Sequence, residues 1–253
     1  MYHSVSDDPE ADIAPYYRVC TKPARFAEHM RFLADNGWSG LSLTEGLQWL
    51  ERGNAENGEK AVAITFDDGF RDFYSEAFPV LKSQGFSATV YLPTQFIGDD
   101  RRQFKNRECL TWPEIVRLHS QGVEFGSHTV SHPLLINLTR DAIDSELNHS
   151  KEAIENAIHA QITSFAYPFA FPQTHTSFVT SLTQQLCSAG YRSCVTTTVG
   201  TARTEDHRYK LKRLPVNSDD DLALFQEKLA GAYDWFGSAQ RLVKHLKALR
   251  RKK

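Results

Sequence analysis

Eight short apolar runs recur along the 253-residue chain, and the stretches between them are amphipathic. The runs are YHSV (2–5), WSGLSL (38–43), AVAITF (61–66), SATVYL (87–92), VEFGS (123–127), SFAYP (164–168), YRSCVTTT (191–198) and KLKRLPV (210–216). Strands that alternate with helices make βαβ units, and such units lay their strands parallel. Repeats of this number and size suit a closed or nearly closed barrel better than an open sheet. An open doubly wound sheet is the other arrangement. No GxGxxG follows the first run, so nothing supports dinucleotide binding.

Three intervening stretches read as helices. Thr21 can cap one that begins at Pro23 and ends near Gly37, with Phe26, Met30 and Leu33 on one face. FRDFYSEAFPVLKSQG (70–85) stops at Gly85, and Pro79 inside it demands a kink or a restart. The longest covers 139–158: Ile143, Leu147, Ile154 and Ile158 form its apolar stripe, and Glu146 and Ser150 are expected to face water. NAENGEK (54–60) reads as a polar loop and GDDRRQFKNREC (98–109) as a longer charged loop of the kind that shapes a cleft at a barrel mouth.

A net charge of -2 gives no electrostatic reason to expect a nucleic-acid partner. Cys20, Cys109, Cys187 and Cys194 form no CxxC pair and read as free thiols. No apolar run is long enough to span a bilayer, and MYHSVSDDPE lacks the parts of a signal peptide, so the chain as written reads as cytoplasmic.

Three stretches fall at the C-terminal ends of predicted strands, where a parallel barrel converges on one mouth. They are Thr65-Phe66-Asp67-Asp68-Gly69, GSHTVSHP (126–133) and FAYPF (165–169). Adjacent carboxylates repel and are costly to desolvate, so Asp67 and Asp68 need a positive partner or open water. Strand alternation sends neighbours to opposite faces, so both can reach one site only where the strand is ending, a turn that Gly69 permits. Their adjacency argues against a glycosidase, whose carboxylates flank a bond from roughly 5 Å or more apart. His128 and His132 are four apart, and a turn brings both to one side. Two imidazoles and one carboxylate make a facial set for a divalent metal, and Ser127 or Thr129 could support it from behind. One acid would ligate the cation and the other would stay free for proton chemistry.

Together, in this order and spacing, TFDDG, SHTVSHP and FAYPF resemble the motifs of the polysaccharide deacetylase family, carbohydrate esterase family four. The resemblance covers roughly residues 1–216. YHSV, ATVYLPT and RLPV are most similar to the branch acting on N-acetylglucosamine polymers and exopolysaccharides. It implies an α/β fold: a distorted (β/α) barrel of about seven parallel strands, here with C-terminal helices. The expected division is a catalytic barrel over 1–217 and a helical extension packed on it over 218–253. The resemblance also implies a divalent metal, zinc first, with cobalt or nickel suiting the same ligands.

By the family's pattern Asp67 is the general base, and Asp68, His128 and His132 hold the metal. The Phe169 N–H belongs to the oxyanion hole, and Tyr167 and Phe169 line the acetyl pocket. Two positions depart from the pattern. The arginine expected two residues before Pro168 is Ala166, and Arg213 is the candidate replacement that orients Asp67. The late general-acid histidine is not evident; His3 is the favoured substitute, ahead of His175 and His207. The expected activity is metal-dependent removal of N-acetyl groups from amino sugars. Two alternatives are an amidohydrolase of small cyclic amides and a barrel that binds glycan without catalysis.

Beyond the barrel, Leu242, Val243, Leu246 and Leu249 make an apolar stripe beside Arg241, Lys244, Lys247 and Arg250. The first expectation is a helix packed on the barrel. The second is weak contact with an anionic membrane surface, which would make the chain membrane-peripheral.

Overall fold

A computed structural model of the chain describes residues 1–235. Its centre is a six-stranded sheet, parallel throughout. The strands run, in spatial order, Leu211–Arg213, Ser193–Val199, Ser164–Ala166, Glu124–Ser127, Thr89–Leu92 and Thr65–Phe66. About seven strands were expected; the ladder holds six. The gap between its two edges is bridged by Met1 and Tyr2. The Met1 nitrogen donates to the Leu214 carbonyl at 2.8 Å, and Val216 N–H donates back to Met1 at 3.0 Å. On the other side Tyr2 N–H donates to Thr65 and Asp67 N–H to Tyr2, at 2.8 and 3.0 Å. This curls the sheet into the distorted barrel and places the end of the Thr65–Phe66 strand beside the start of the chain.

Two predicted strands lie elsewhere. Trp38–Leu41 pairs with Lys60–Ala63 in a separate two-stranded sheet. It ends at Leu41 because Ser42 and Glu45 form a reciprocal capping box that starts the helix Leu43–Glu51. The run AVAITF is divided at Ile64, whose N–H donates to Leu41 while its carbonyl accepts from Thr89. The chain changes partner at that residue and enters the barrel. YHSV contributes only the short strand Ser4–Val5, paired with Cys20–Thr21.

The helices follow the apolar spacing. Pro23–Asp35 buries Phe26, Met30 and Leu33 as its periodicity requires, each worth about 1.5–3 kcal/mol of transfer free energy. Its cap residue is Lys22 with no side-chain bond; Thr21 is held in its strand instead. Pro79 is the second residue of a restarted helix, Phe78–Ser83, after a π-helical turn over Phe73–Ala77. Helix Arg140–Ile158 buries the four predicted residues and Ser150 as well. The expectation that Glu146 and Ser150 face water is overturned. Ser150 Oγ bonds Ser127 Oγ at 2.6 Å behind the strand Glu124–Ser127, and Glu146 is half-buried against the loop that follows that strand.

Gly126 is required where it stands, because a Cβ there would lie 2.5 Å from the Tyr91 ring. Cys20, Cys109 and Cys194 are buried and Cys187 exposed, all as free thiols. Past residue 217, helix Leu222–Leu229 packs on the barrel by stacking Phe225 on His29 at 4.1 Å. The predicted stripe from Leu242 to Leu249 lies outside the described residues. Among the described residues no helix is long and apolar enough to cross a membrane.

Candidate active site

The six strands end at one mouth, and the three motif stretches meet there. Its backbone is unusual. Asp68, Thr129, His132 and Phe169 all have positive φ, at 71°, 70°, 55° and 60°. Left-handed backbone costs non-glycine residues roughly 1–3 kcal/mol each, and for the β-branched Thr129 it is a genuine outlier. The surrounding bonds hold it. Thr129 N–H donates to Ser127 Oγ at 3.2 Å, and His132 N–H to Thr129 Oγ1 at 2.9 Å. Glu146 accepts from the N–H of Val130 at 2.7 Å, the N–H of Ser131 at 2.9 Å and Ser131 Oγ at 2.6 Å. Sequence reasoning placed Glu146 in water; it clamps the loop carrying both histidines. The helical spacing carried no signal of this, because Glu146 reaches the loop from beside the apolar stripe.

The left-handed turn at Asp68 separates the two acids. Asp67 faces Arg213, whose Nη1 and Nη2 donate to its two oxygens at 2.7 Å each. Arg213 also donates from Nε to the Thr196 carbonyl at 3.0 Å and from Nη1 to Thr65 Oγ1 at 3.2 Å. The Thr196 carbonyl lies within the irregular register between Val195 and Val199. Burial alone would push the Asp67 carboxyl up, but the Arg213 guanidinium and the nearby imidazoles hold it well below the usual carboxylate range.

Asp68 turns the other way. Its Oδ1 lies 3.3 Å from His132 Nε2 and 3.6 Å from His128 Nε2, and all three donor atoms fall within 4.8 Å of one another. Oδ1 is buried and, among the described residues, has no hydrogen-bond donor. His128 Nδ1 lies 2.8 Å from the Ala166 carbonyl. A carbonyl only accepts, so Nδ1 carries the proton and Nε2 presents its lone pair. Burial pushes His128 down to about 4, so the ring is neutral near pH 7, the form a metal needs. An orphaned carboxylate oxygen facing two imidazole nitrogens fits a divalent cation with open positions. Removing one donor, as in His132→Ala, should lower cation affinity by more than the ~10–100-fold typical of outer-shell changes. Full metal content in that variant, read by elemental analysis, would contradict the ligand set. Glu146→Ala should fall within that outer-shell range, read by calorimetric titration, and should also lower the melting temperature, because two backbone N–H groups of the strained loop lose their charged acceptor.

The remaining candidates are placed as follows. Phe169 is 49% exposed, its ring packs edge-on against His132 at 4.5 Å, and among the described residues its N–H has no acceptor. His3 lies within electrostatic reach of both Asp67 and Asp68, and burial lowers its pKa against their pull. Tyr167 is a correction. It is fully buried, packs edge-on against Phe171 at 5.1 Å and belongs to the core, so it does not line the cleft. Side-chain alternation carries on from the strand: Phe165 and Tyr167 pack in the main core, Ala166 faces the other way, and Tyr167 N–H still donates to Val195 at 3.0 Å; the chain turns only at Phe169, whose φ is 60°. His175 starts a helix and His207 lies beside Tyr209 in the loop 203–209; among the described residues neither makes a hydrogen bond or ring contact with this set. An apolar cavity of about 230 Å³, lined by Leu47, Trp49, Leu211 and Leu229 among others, touches none of Asp67, Asp68, His128 or His132.

The profile of the polysaccharide deacetylase family matches residues 54–192. YxkH of Bacillus subtilis (strain 168), named provisionally as a polysaccharide deacetylase, is 33% identical over 217 residues, covering 86% of this chain and 70% of its own length. The poly-beta-1,6-N-acetyl-D-glucosamine N-deacetylase of Escherichia coli (strain K12) is 32% identical over 138 residues. That match spans 51% of this chain but only 20% of the Escherichia coli protein. Among solved structures, the Streptococcus pyogenes deacetylase PplD has a TM-score of 0.74 at 24% identity, covering 90% of this chain and 96% of its own. IcaB from Ammonifex degensii has a TM-score of 0.70 at 21% identity, covering 90% and 93%. These two likenesses bear on the fold.

Proposed function

Because the chain belongs to the polysaccharide deacetylase family, we propose that it is a metal-dependent hydrolase that removes N-acetyl groups from amino sugars in a polysaccharide or its precursor. The observation that carries this reading is the division of labour within one turn. Asp67 is locked by Arg213, and Asp68 presents a bare oxygen to two imidazoles.

Asp68, His128 and His132 would hold the cation, with zinc our choice and cobalt or nickel suiting the same donors. When bound there, the cation would supply Lewis acidity to an acetyl carbonyl and to a water. Asp67 takes the proton from the attacking water. The free Phe169 N–H donates to the oxygen on which charge develops. His3, as imidazolium, protonates the leaving amine. Its lowered pKa makes it a stronger acid for that transfer and confines the charged form to the acidic side. Products are acetate and a free amino sugar.

Exposed Phe169, packed on His132, and exposed Leu134, two residues past His132, put open apolar surface beside the ligand set, and the apolar cavity lies off the three ligands; both favour a polymer over a small cyclic amide. A glycan-binding barrel without catalysis would have no use for an arginine-locked carboxylate beside a metal set. The test is acetate release from N-acetylglucosamine oligomers of increasing length, β-1,6-linked first, with added zinc, cobalt or nickel and with a chelator. Release that rises with length and stops on chelation is expected. No release at any length with any of the three metals would sink the proposal.

A further inference from the structure

The stretch 98–109, expected as a charged loop, contains an antiparallel hairpin of Gln103–Phe104 and Arg107–Glu108. Its turn residues, Lys105 and Asn106, have φ of 52° and 61°, the paired left-handed positions of a two-residue hairpin turn. The hairpin is fixed from two directions. The Phe104 ring stacks on Phe96 at 4.2 Å and meets the His132 ring at 5.1 Å. Arg107 donates to Asp8 at 2.7 Å and to Ser4 Oγ at 3.2 Å. So anchored, the turn delivers the Lys105 ammonium to Asp68 Oδ2 at 2.9 Å, over the face of Phe104 at 4.6 Å.

The two oxygens of Asp68 therefore have different surroundings. Oδ1 faces His128 and His132 and lacks a donor, whereas Oδ2 is held by an ammonium. We propose that Lys105 sets the cation affinity of this centre: it restricts Asp68 to ligation through Oδ1 alone and fixes a positive charge beside the ligand set. The inference rests on the metal-site reading above. A carboxylate can grip a dication through one oxygen or two. With Oδ2 engaged, the second contact is withheld. Partners that accept a proton from a ligand raise its basicity; a cation that donates to one does the opposite. The ammonium also repels a dication directly. All three effects weaken binding, and the first leaves more positions open for substrate and water. The Lys105 side chain is 43% exposed, so solvent screens part of the repulsion.

The test is titration of the metal-free full chain with Co²⁺, comparing wild type, Lys105→Met and Lys105→Arg. Met keeps the aliphatic stem against Phe104 and removes the charge; Arg keeps the charge. We expect Lys105→Met to bind at least ~10-fold more tightly, and its Co²⁺ visible spectrum to change as a second carboxylate oxygen enters. Lys105→Arg should stay near wild type in both. Equal or weaker binding by Lys105→Met would overturn the inference, with Lys105→Gln as a second uncharged variant should the first melt early. Wild type that binds no Co²⁺ would overturn the metal centre and this inference together. Wild type that binds while the uncharged variants match it would overturn this inference alone.

Discussion

Asp67→Asn should keep the cation and lose turnover by ~10²–10⁴-fold, the range a positioned general base supplies. The substitution is nearly isosteric and leaves Asp68, His128 and His132 untouched, so metal content and affinity should match wild type. The amide oxygen can still accept one bond from Arg213, but the second of the two bonds to Arg213 is lost. The measurement is kcat beside elemental analysis of the same preparation. Turnover within a few-fold of wild type would remove Asp67 from the chemistry. Loss of metal along with activity would instead place Asp67 among the ligands.

Arg213→Met should be the most destabilising change in the barrel, by about 3–5 kcal/mol, because it strands a buried carboxylate without its partner. Asp67 and Arg213 side chains are 3% and 5% exposed, so little solvent remains to compensate. The pH dependence has a definite sign. In wild type the folded pKa of Asp67 lies below its unfolded value, so the pair stabilises the fold above about pH 4 and the benefit fades as pH falls toward the folded pKa. Without Arg213, burial dominates and the folded pKa rises above the unfolded one. That variant is penalised as pH rises through the new value. The stability gap between the two proteins should therefore be wide near about pH 7 and narrower near about pH 4. Urea unfolding at both values reads it. A gap that is constant with pH would mean the arginine acts by packing alone. The acidic limb of the activity profile of any residual turnover should also move upward, since a base with a raised pKa is protonated sooner.

Much of the candidate site was readable in the chain because metal and proton chemistry calls for particular residue types at strand ends. Asp67, Asp68, His128 and His132 stand out by type and spacing, and the structure brings all four to one mouth. Arg213 was readable only as one candidate, since the strand bearing it is separated from Asp67 by 146 residues and no local pattern links them. Glu146 and Lys105 were not readable as parts of the site. The first sits at a helix position whose spacing suggested solvent, and the second at the tip of a hairpin hidden in a charged stretch. Tyr167 goes to the core because it shares the face of Phe165 by strand alternation, and the turn toward the cleft comes only at Phe169.

Periodicity and residue chemistry, both local, carry the parallel α/β architecture, the apolar helix faces and the residue types of the candidate metal set without reference to coordinates. Which acid meets which partner is not local. That choice follows from a left-handed turn at Asp68, a barrel edge closed by Met1 and Tyr2, and contacts between segments far apart in the chain. Such contacts depend on where the backbone finally runs, and only the packed chain defines that path.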